Sequence, residues 1–228
     1  MLTSVYENGG FYIGKYEAGA QDLEADGTHK NPAVIKEGAY PYNYVTCSQA
    51  QNLVSDLSTD AERTSSLMFG VQWDLALKHI EEKRFKNEGK KVKRDQIIED
   101  LNNDSSSWGN YRNIKVEAKD IRLPTAKGSI NYGIKYEVDL KIGKPICDPG
   151  RGIILTTGAS PRNSVLNIYD LAGNVWEWTL ENTSNPKSPC ASRSGDCYND
   201  GSSYPSSSRY AYKTNFNYDN FGFRPALY

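Results

Sequence analysis

The segment at residues 169–178, Tyr-Asp-Leu-Ala-Gly-Asn-Val-Trp-Glu-Trp, constrains the fold of this 228-residue chain more than any other. Its second half is rich in β-branched and aromatic residues, so residues 175–179 are predicted to form a strand. Because side chains alternate between the two faces of a strand, Trp176 and Trp178 share one face. The string is too specific to be the sequence of a generic strand.

Two amphipathic helices are predicted to precede this strand. Ser48 with Gln51 three residues on has the pattern of a capping box, which predicts a helix start there. Apolar residues after it keep the i, i+3, i+4, i+7 spacing of one buried face, as do those of a second helix predicted at residues 71–82. His79 lies off the second stripe and is predicted to be a surface histidine. The first stripe consists of Ala50, Leu53, Val54 and Leu57, and the second of Trp73, Ala76, Leu77 and Ile80.

Three further segments have strand-like sequences. Residues 11–17 and 152–157 are rich in β-branched, aromatic or other apolar residues, which predicts strands. Residues 134–142 alternate between apolar and charged side chains, which predicts a strand with one buried face. No internal repeat or clear linker divides the chain, so we predict one α+β domain with long loops.

Residues 83–120 differ in character from the rest of the chain. A basic run at residues 86–94 and a polar stretch surround a short apolar cluster formed by Ile97, Ile98 and Leu101. The segment is predicted to be a solvated insertion with one short helix. A nucleic-acid patch is the alternative interpretation of the lysines, but acidic residues interrupt them, which disfavours it.

Composition excludes several classes of partner. With 38% hydrophobic and 24% charged residues the chain can fold, and a net charge of −1 gives no electrostatic basis for binding nucleic acid or an anionic membrane. No stretch approaches the roughly 20 apolar residues of a membrane span, and the N-terminus lacks the basic-then-apolar pattern of a signal peptide. We therefore expect a soluble chain with no nucleic acid as partner and no membrane insertion.

The cysteines and histidines do not predict a metal centre of ordinary spacing. Cys47, Cys147, Cys190 and Cys197 include no Cys-x-x-Cys pair, and the two histidines lie fifty residues apart. A bridge between Cys190 and Cys197 is possible on spacing, and so are free thiols at both positions. The sequence leaves this pairing and the redox compartment open.

The string at residues 169–178 and the closing Gly222-Phe223-Arg224 resemble the formylglycine-generating enzyme (sulfatase-modifying factor) family, a branch of the C-type lectin fold. The capped helix at Ser48 and the Gly-Val-Gln-Trp-Asp helix start at Gly70 agree with that family in order. The resemblance implies an α+β C-type lectin fold with two main helices, short twisted sheets and long loops. The resemblance touches most of the chain, and we predict a single domain over residues 1–228 with a polar insertion at about 83–150.

The resemblance also bears on catalysis. Enzymes of the family oxidise a substrate cysteine with two cysteines of their own, which follow a stretch matched here by residues 193–197. Register places Asn199 and Tyr204 at the two cysteine positions, and neither residue supplies a thiolate or a soft copper ligand. Cys190 and Cys197 lie upstream and cannot take over the role. We therefore predict no enzymatic activity, with a thiol oxidase acting on sulfatase cysteines as the alternative.

The resemblance also implies one structural calcium ion, and we expect that no cofactor is required. In the family, the ligands are the side chains matching Asp170 and Glu177 and the backbone carbonyls matching Gly173 and Val175. Oxygen ligands of this kind suit a hard cation. The other interpretation is that Glu177 only accepts backbone hydrogen bonds beneath the loops, and both stay open.

Residues 196–221 have the composition of a binding surface. Their 26 residues include five Tyr, five Ser, four Asn and three Asp, and they lack Leu, Ile, Val and Met. Tyrosine supplies rigid contact area and the small polar residues supply adaptable hydrogen bonds, as in an antibody paratope. When the adenines of an Asn codon (AAC or AAT) are substituted and the third base is kept, the new codon never encodes Lys, Glu, Gln, Met or Trp. Within residues 196–221 only one residue belongs to these five types, Lys213.

Adenine-directed change just before a C-terminal Gly-Phe-Arg in a lectin-like domain resembles the variable proteins of diversity-generating retroelements. That resemblance implies a non-catalytic protein that recognises a protein or cell-surface ligand and is displayed on a phage particle or bacterial surface as part of a larger protein or assembly. A purely structural phage tail or surface domain is a further alternative, and neither the ligand nor the oligomeric state follows from the sequence. The predicted contact residues are Asp196, Tyr198, Asn199, Asp200, Tyr204, Tyr210, Tyr212, Asn215, Phe216, Asn217, Tyr218 and Asp219.

Overall fold

The structure, a computed structural model, describes residues 2–20, 32–57, 63–89, 91–114, 116–117, 137–139, 144–147 and 152–228. Its helices are α1 (Leu2–Asn8), α2 (Cys47–Ser55), α3 (Gly70–Glu88) and α4 (Arg94–Asn102), with single 3-10 turns at Ser105–Ser107 and Pro161–Asn163. Its strands are β1 (Tyr12–Ile13), β2 (Gly19–Ala20), β3 (Tyr40–Pro41), β4 (Ser65–Leu67), β5 (Val116–Glu117), β6 (Glu137–Asp139), β7 (Lys144–Cys147), β8 (Ser164–Val165), β9 (Ile168–Tyr169), β10 (Trp176–Asn182), β11 (Cys190–Arg193), β12 (Arg209–Tyr212), β13 (Phe221–Phe223) and β14 (Pro225–Leu227).

A four-stranded sheet with the order β12-β11-β10-β13 organises the C-terminal half. Strand β10 pairs antiparallel with β11 and parallel with β13, and the register places Glu177 opposite Gly222. The two motifs of the sequence are therefore hydrogen-bonded neighbours. Strand β14 follows β13 after Arg224 and lies between β1 and β4 in a second sheet, so the chain's two ends meet there. The predicted α+β class is confirmed.

The predicted strand at residues 175–179 is confirmed as the start of β10, and Trp176 and Trp178 are both buried. They pack with Phe221, Phe223, Ala50 and Val54 in one hydrophobic cluster beneath the sheet. The indole Nε1–H of Trp178 donates a hydrogen bond of 2.9 Å to the Val45 carbonyl. This bond fixes the chain just before α2.

Helix α2 begins two residues earlier than its predicted capping box. Thr46 is the N-cap: its Oγ1 accepts from the Gln49 N–H at 3.3 Å, and Gln49 Oε1 accepts from the Thr46 N–H at 2.9 Å. The Ser48–Gln51 prediction was wrong because two overlapping S/T-x-x-Q patterns occur here, and Gln51 Oε1 instead accepts from the Leu67 N–H. The predicted stripe is confirmed, with Ala50 and Val54 fully buried and Leu53 and Leu57 partly buried against the same core.

Helix α3 confirms the predicted stripe and extends six residues beyond residue 82. Trp73, Ala76, Leu77 and Ile80 are buried, and His79 is exposed as predicted. The extension is stabilised by α4, since Arg84 on α3 forms an ion pair of 3.0 Å with Asp100.

Part of the predicted solvated insertion is core. Ile97, Leu101, Trp108 and Tyr111 are buried in a cluster with α3. The prediction of a solvated insertion therefore does not hold for residues 94–111, because α4 and the loop after it cover the apolar face of α3. Most of the remainder of the insertion lies outside the described residues.

The other strand predictions had mixed outcomes. Residues 11–17 contain only the two-residue strand β1, and residues 134–142 contain β6, with the flanking positions outside the described residues. Residues 152–157 form no strand, so that prediction was wrong. Their backbone groups bind asparagine side chains instead: Asn174 bonds to both backbone groups of Leu155, and Asn110 donates to the Ile153 carbonyl at 2.7 Å. In the described part of the chain, no helix is both long and apolar enough to cross a membrane.

Candidate functional site

A continuous layer of aromatic rings runs from the core beneath β10 to the surface of β12 and the loop after it. The buried ring of Trp176 lies 5.1 Å from that of Tyr204 and 6.2 Å from that of Tyr210. The Tyr212 ring lies 4.6 Å from Phe216, which stacks on Tyr218 at 5.0 Å. We call the outer part of this layer the aromatic face, consisting of Tyr204, Tyr210, Tyr212, Phe216 and Tyr218.

Exposure increases outward along the aromatic face. Tyr204, Tyr212 and Phe216 are half-buried and pack on the main core, whereas Tyr210 is 48% and Tyr218 57% exposed. Tilted and edge-to-face ring pairs stabilise such a layer beyond the area that it buries. The rings nearest the core thus hold the outer rings in place, and the outer rings present apolar area and hydroxyl groups to solvent.

The structure places eleven of the twelve predicted contact residues at least partly at the surface. Asn215 and Asn217 are exposed beside Tyr210 and Tyr218, and the other seven are half-exposed. Those seven are Tyr198, Asn199, Asp200, Tyr204, Tyr212, Phe216 and Asp219. Whether they contact a ligand stays a prediction.

Asp196 is the exception, because it is fully buried. Its Oδ1 accepts from the Tyr198 N–H at 3.0 Å and from Asn199 Nδ2 at 2.6 Å, and its Oδ2 accepts from Asn220 Nδ2. Burial raises its pKa, and these hydrogen bonds oppose the shift. Asp196 therefore braces the loop from within, a role that composition does not distinguish from a surface contact.

Two features bordering the predicted surface were missed from the sequence. Arg112 holds Asp200 in a two-pronged ion pair with distances of 2.8 and 3.2 Å, which lowers the pKa of Asp200. On the other side, Asn43 Nδ2 donates to the Asp219 carbonyl at 2.7 Å, and the Tyr44 N–H donates to the Tyr218 carbonyl at 3.1 Å. The run Tyr-Pro-Tyr-Asn-Tyr at residues 40–44 shares the Tyr/Asn composition of the predicted surface and was the available signal.

A shallow cavity of about 340 Å³ adjoins this second border at the start of α2. Its lining combines aromatic and amide side chains from the segment before α2 and from the first turns of α2. The lining residues are Tyr42, Asn43, Tyr44, Val45, Gln49, Asn52 and Leu53.

A buried ionic cluster lies at the junction of the two C-terminal motifs. The Arg224 guanidinium binds both Glu177 oxygens at 2.7 to 3.1 Å and donates to the carbonyls of Gly14 and Tyr169 at 2.9 and 2.8 Å. Two further carboxyl groups, Glu17 and Asp170, are fully buried nearby. One arginine thus ties together β10, β13, β14, the chain before β2 and the end of β9.

Three buried carboxyl groups lie within electrostatic range of this guanidinium, and burial is the main cause of their raised pKa values. Burial raises the pKa of Glu17 well above its ordinary value, and the charges of Asp170 and Glu177 raise it further. Burial also raises the pKa of Asp170 to about 7, although the Gly158 N–H donates to its Oδ2 at 2.7 Å. The pKa of Glu177 is raised by burial, with Arg224 opposing the shift.

One of the predicted calcium ligands, Glu177, already has a cationic partner in this arrangement. Both Glu177 oxygens are engaged by Arg224, so the cation that they need is already supplied by the chain. In the described ranges, no three or more His, Cys, Asp or Glu side chains are grouped as a metal site. Glu177 is therefore an ion-pair partner of Arg224, and calcium binding by Asp170, Gly173, Val175 and Glu177 stays a prediction. The alternative for Glu177 is also corrected, since its partner is a side chain.

The described cysteines do not form a catalytic pair at the family's positions. The Asn199 side chain binds Asp196, and the Tyr204 ring packs on Trp176. Cys197 is a fully buried free thiol packed with Ile154 and Val175, and burial raises its pKa well above the ordinary value. Cys190 is also free and belongs to a different cluster, so no bridge joins it to Cys197 in this structure.

Comparison with known structures finds similar proteins at low sequence identity. Treponema denticola variable protein 1 is 13% identical, with 95% of this chain and 84% of that chain covered and a TM-score of 0.48. CarF is 13% identical, with coverage of 95% and 85% and a TM-score of 0.49. PvdO from Pseudomonas aeruginosa is 13% identical, with coverage of 95% and 80% and a TM-score of 0.43. No curated protein matches the chain in sequence.

Family membership rests on a separate comparison of the sequence. Residues 8–227 match the family described as the sulfatase-modifying factor enzyme 1-like domain. The match covers nearly the whole chain and includes both motifs that pair as β10 and β13 in the central sheet. It confirms the fold that those motifs predicted. The chain therefore belongs to the sulfatase-modifying factor enzyme 1-like domain family.

Proposed function

We propose that this protein is a non-catalytic ligand-binding member of its family, and that the aromatic face with its polar border is the binding surface. The observation that supports this is the graded layer of rings from buried Trp176 to exposed Tyr210 and Tyr218. Because packing already holds these aromatic rings in place, few side chains lose freedom when a ligand binds. Less of the contact energy is then lost to conformational entropy. Exposed Asn215 and Asn217 supply hydrogen-bonding groups beside the rings.

The ligand that best fits this surface is a protein or another cell-surface molecule. Tyrosine and asparagine contacts of this kind suit an irregular, partly polar target better than a small molecule, which prefers an enclosed pocket. A carrier displayed on a phage particle or bacterial surface would place the aromatic face within reach of such a target. No nucleic-acid partner, membrane insertion or required cofactor is part of the proposal.

We attribute the composition of the aromatic face to diversification by a retroelement. The segment at residues 196–221 divides into buried positions, such as Asp196 and Ser206, and exposed ones, such as Tyr210 and Tyr218. Substitution at an exposed position changes what is presented without disturbing a packed contact. The division supports a scaffold that stays constant while its surface varies.

A matched pair of libraries tests the binding surface and does not require the natural ligand. One library randomises Tyr210, Asn215, Asn217 and Tyr218, and the control library randomises four exposed helical residues, Asp95, Gln96, Glu99 and Asn102. Both are selected against one purified globular protein that the parent chain does not bind. We expect binders from the first library only. Binders at equal frequency from both would show that the face has no special suitability for binding.

Family membership favours one alternative, a thiol oxidase of the formylglycine-generating type. Catalysis would need a reactive thiolate, and the position of Tyr204 offers none while the Cys197 thiol is fully buried. The protein incubated with copper, oxygen and a cysteine-containing sulfatase peptide should leave the peptide unchanged. Formation of an aldehyde on the peptide would refute the non-catalytic assignment.

A further inference from the structure

Two thiols from distant parts of the sequence lie near the start of strand β11 in the central sheet. Cys47 is the first residue of α2, and Cys190 is the first residue of β11. The Cys47 Sγ–H donates to the Thr179 carbonyl at 3.5 Å, and Thr179 Oγ1 donates to the carbonyl of Ala191, next to Cys190, at 3.0 Å. Each thiol also shifts the pKa of the other, so the two side chains lie within interaction range.

The surroundings of this pair differ from those of Cys197. Both Cys47 and Cys190 are free, only partly buried and packed against the same hydrophobic cluster. A fully buried thiol such as Cys197 is shielded from oxidants, whereas a half-buried pair is accessible to them. A disulfide needs Cα atoms about 4.4 to 6.8 Å apart, and the two Thr179 hydrogen bonds bring the start of α2 close to the start of β11.

We propose that Cys47 and Cys190 form a disulfide when the protein is exposed to an oxidising environment. The oxidant is a small-molecule disulfide such as oxidised glutathione. The two S–H bonds break and one S–S bond forms, while the oxidant's S–S bond takes the two electrons and two protons and becomes two thiols. This inference does not depend on the proposed ligand-binding function.

The reaction needs one of the two thiols as a thiolate, so it depends on pH. Burial, with the neighbouring Cys190 adding to it, raises the pKa of Cys47 to about 12. Burial also raises the pKa of Cys190, but a hydrogen bond from Cys47 opposes that shift. The thiol that ionises attacks the oxidant and forms the mixed disulfide, and the other thiol then displaces the oxidant's second thiol. Cross-linking should be faster at pH 9 than at pH 7, because the thiolate fraction is larger.

The cross-link would connect α2 to the strands that carry part of the aromatic face. Cys190 pairs directly with Tyr212 in the β11–β12 register, so the strand carrying Tyr210 and Tyr212 would be tied to α2. The bridge also closes a loop of well over one hundred residues, which restricts the unfolded chain strongly in the loop-entropy account. The oxidised protein should therefore unfold at a higher urea concentration than the reduced protein.

Peptide mass spectrometry on the full chain tests the proposal. The protein is incubated with oxidised glutathione at pH 9, free thiols are blocked with N-ethylmaleimide, and the protein is digested without reduction. We expect a linked peptide that joins Cys47 to Cys190 and is lighter by two hydrogen atoms than the two free peptides together. The number of reactive thiols should fall by two, and the urea midpoint should rise in parallel.

Variants make the result specific. Cys190→Ser and Cys47→Ser should each remove the linked peptide and the rise in urea midpoint, whereas Cys147→Ser should keep both. The proposal would be overturned if the folded wild-type protein, after incubation with oxidised glutathione, still has N-ethylmaleimide on both Cys47 and Cys190. A linked peptide that joins either residue to Cys147 or Cys197 would overturn it equally.

Discussion

Removing the positive charge of Arg224 should destabilise the fold far more than removing a comparable surface charge. Arg224→Met leaves Glu177 buried without its cation, and it also leaves the carbonyls of Gly14 and Tyr169 without their donors. Loss of one partner from a buried ion pair costs about 3–5 kcal/mol, and each buried unsatisfied carbonyl adds about 1–3 kcal/mol. The lower bounds of these terms sum to about 5 kcal/mol, which is comparable to the whole stability of a marginal domain, about 5–15 kcal/mol.

The matched control is Arg209→Met, which also breaks an ion pair. Arg209 is 49% exposed and contacts Asp74 at 3.2 Å and Glu181 at 2.6 Å near the surface. Exposed pairs contribute about 0–1 kcal/mol, so the control should lose less than about 1 kcal/mol. Urea unfolding followed by tryptophan fluorescence measures both losses. Equal losses for the two variants would refute the assignment of Arg224 as the buried cation of the fold. If Arg224→Met does not fold, Arg224→Lys, which keeps the charge, should give the intermediate loss.

Three further predictions concern the same scaffold. The folded state holds a proton on Asp170 more tightly than the unfolded state, with a pKa of about 7 against 3.8. The stability that this group contributes therefore falls as pH rises from about 4 to about 7. The melting temperature of Asp170→Asn minus that of the wild type should become more positive as pH rises from 5 to 8. A difference that stays constant over this range would contradict the prediction. Neither EDTA nor added calcium should change the melting temperature, because Arg224 already pairs with the carboxylate of Glu177. A rise in melting temperature with calcium would instead support calcium binding at Glu177. Trp178→Ala should cost about 3–5 kcal/mol in urea unfolding, and Tyr218→Ala, at a 57% exposed position, should change stability by less than about 0.5 kcal/mol; similar costs would contradict the graded layer.

The helices and the main strand were predictable because their burial follows a repeating pattern. The stripe of α3, which includes Trp73 and Ile80, and the pair Trp176 and Trp178 both follow the geometry of a single element. Such periodicity depends only on the local chain, so it can be detected before the tertiary structure is known. The extension of α3 to Glu88 depends on α4, and the sequence carried no comparable signal for that contact.

The errors lie where a side chain replaces a backbone partner or where partners are distant in sequence. Residues 152–157 have the composition of a strand, but Asn174 and Asn110 take the hydrogen bonds that a neighbouring strand would make. The Glu177–Arg224 pair joins residues 47 positions apart, so no local pattern in the sequence predicted it. Asp196 illustrates the same limit, because composition does not separate a bracing carboxylate from an exposed one.

The DNA that encodes residues 196–221 tests the central claim most directly. If the aromatic face is diversified by a retroelement, the locus should contain a reverse transcriptase and a near-copy of this segment that differs only at adenines. Across related cells, the codons of exposed residues such as Tyr210 and Tyr218 should vary, while those of buried Asp196 and Gly222 stay constant. Absence of the copy, differences at other bases, or variation at the buried positions would contradict the claim.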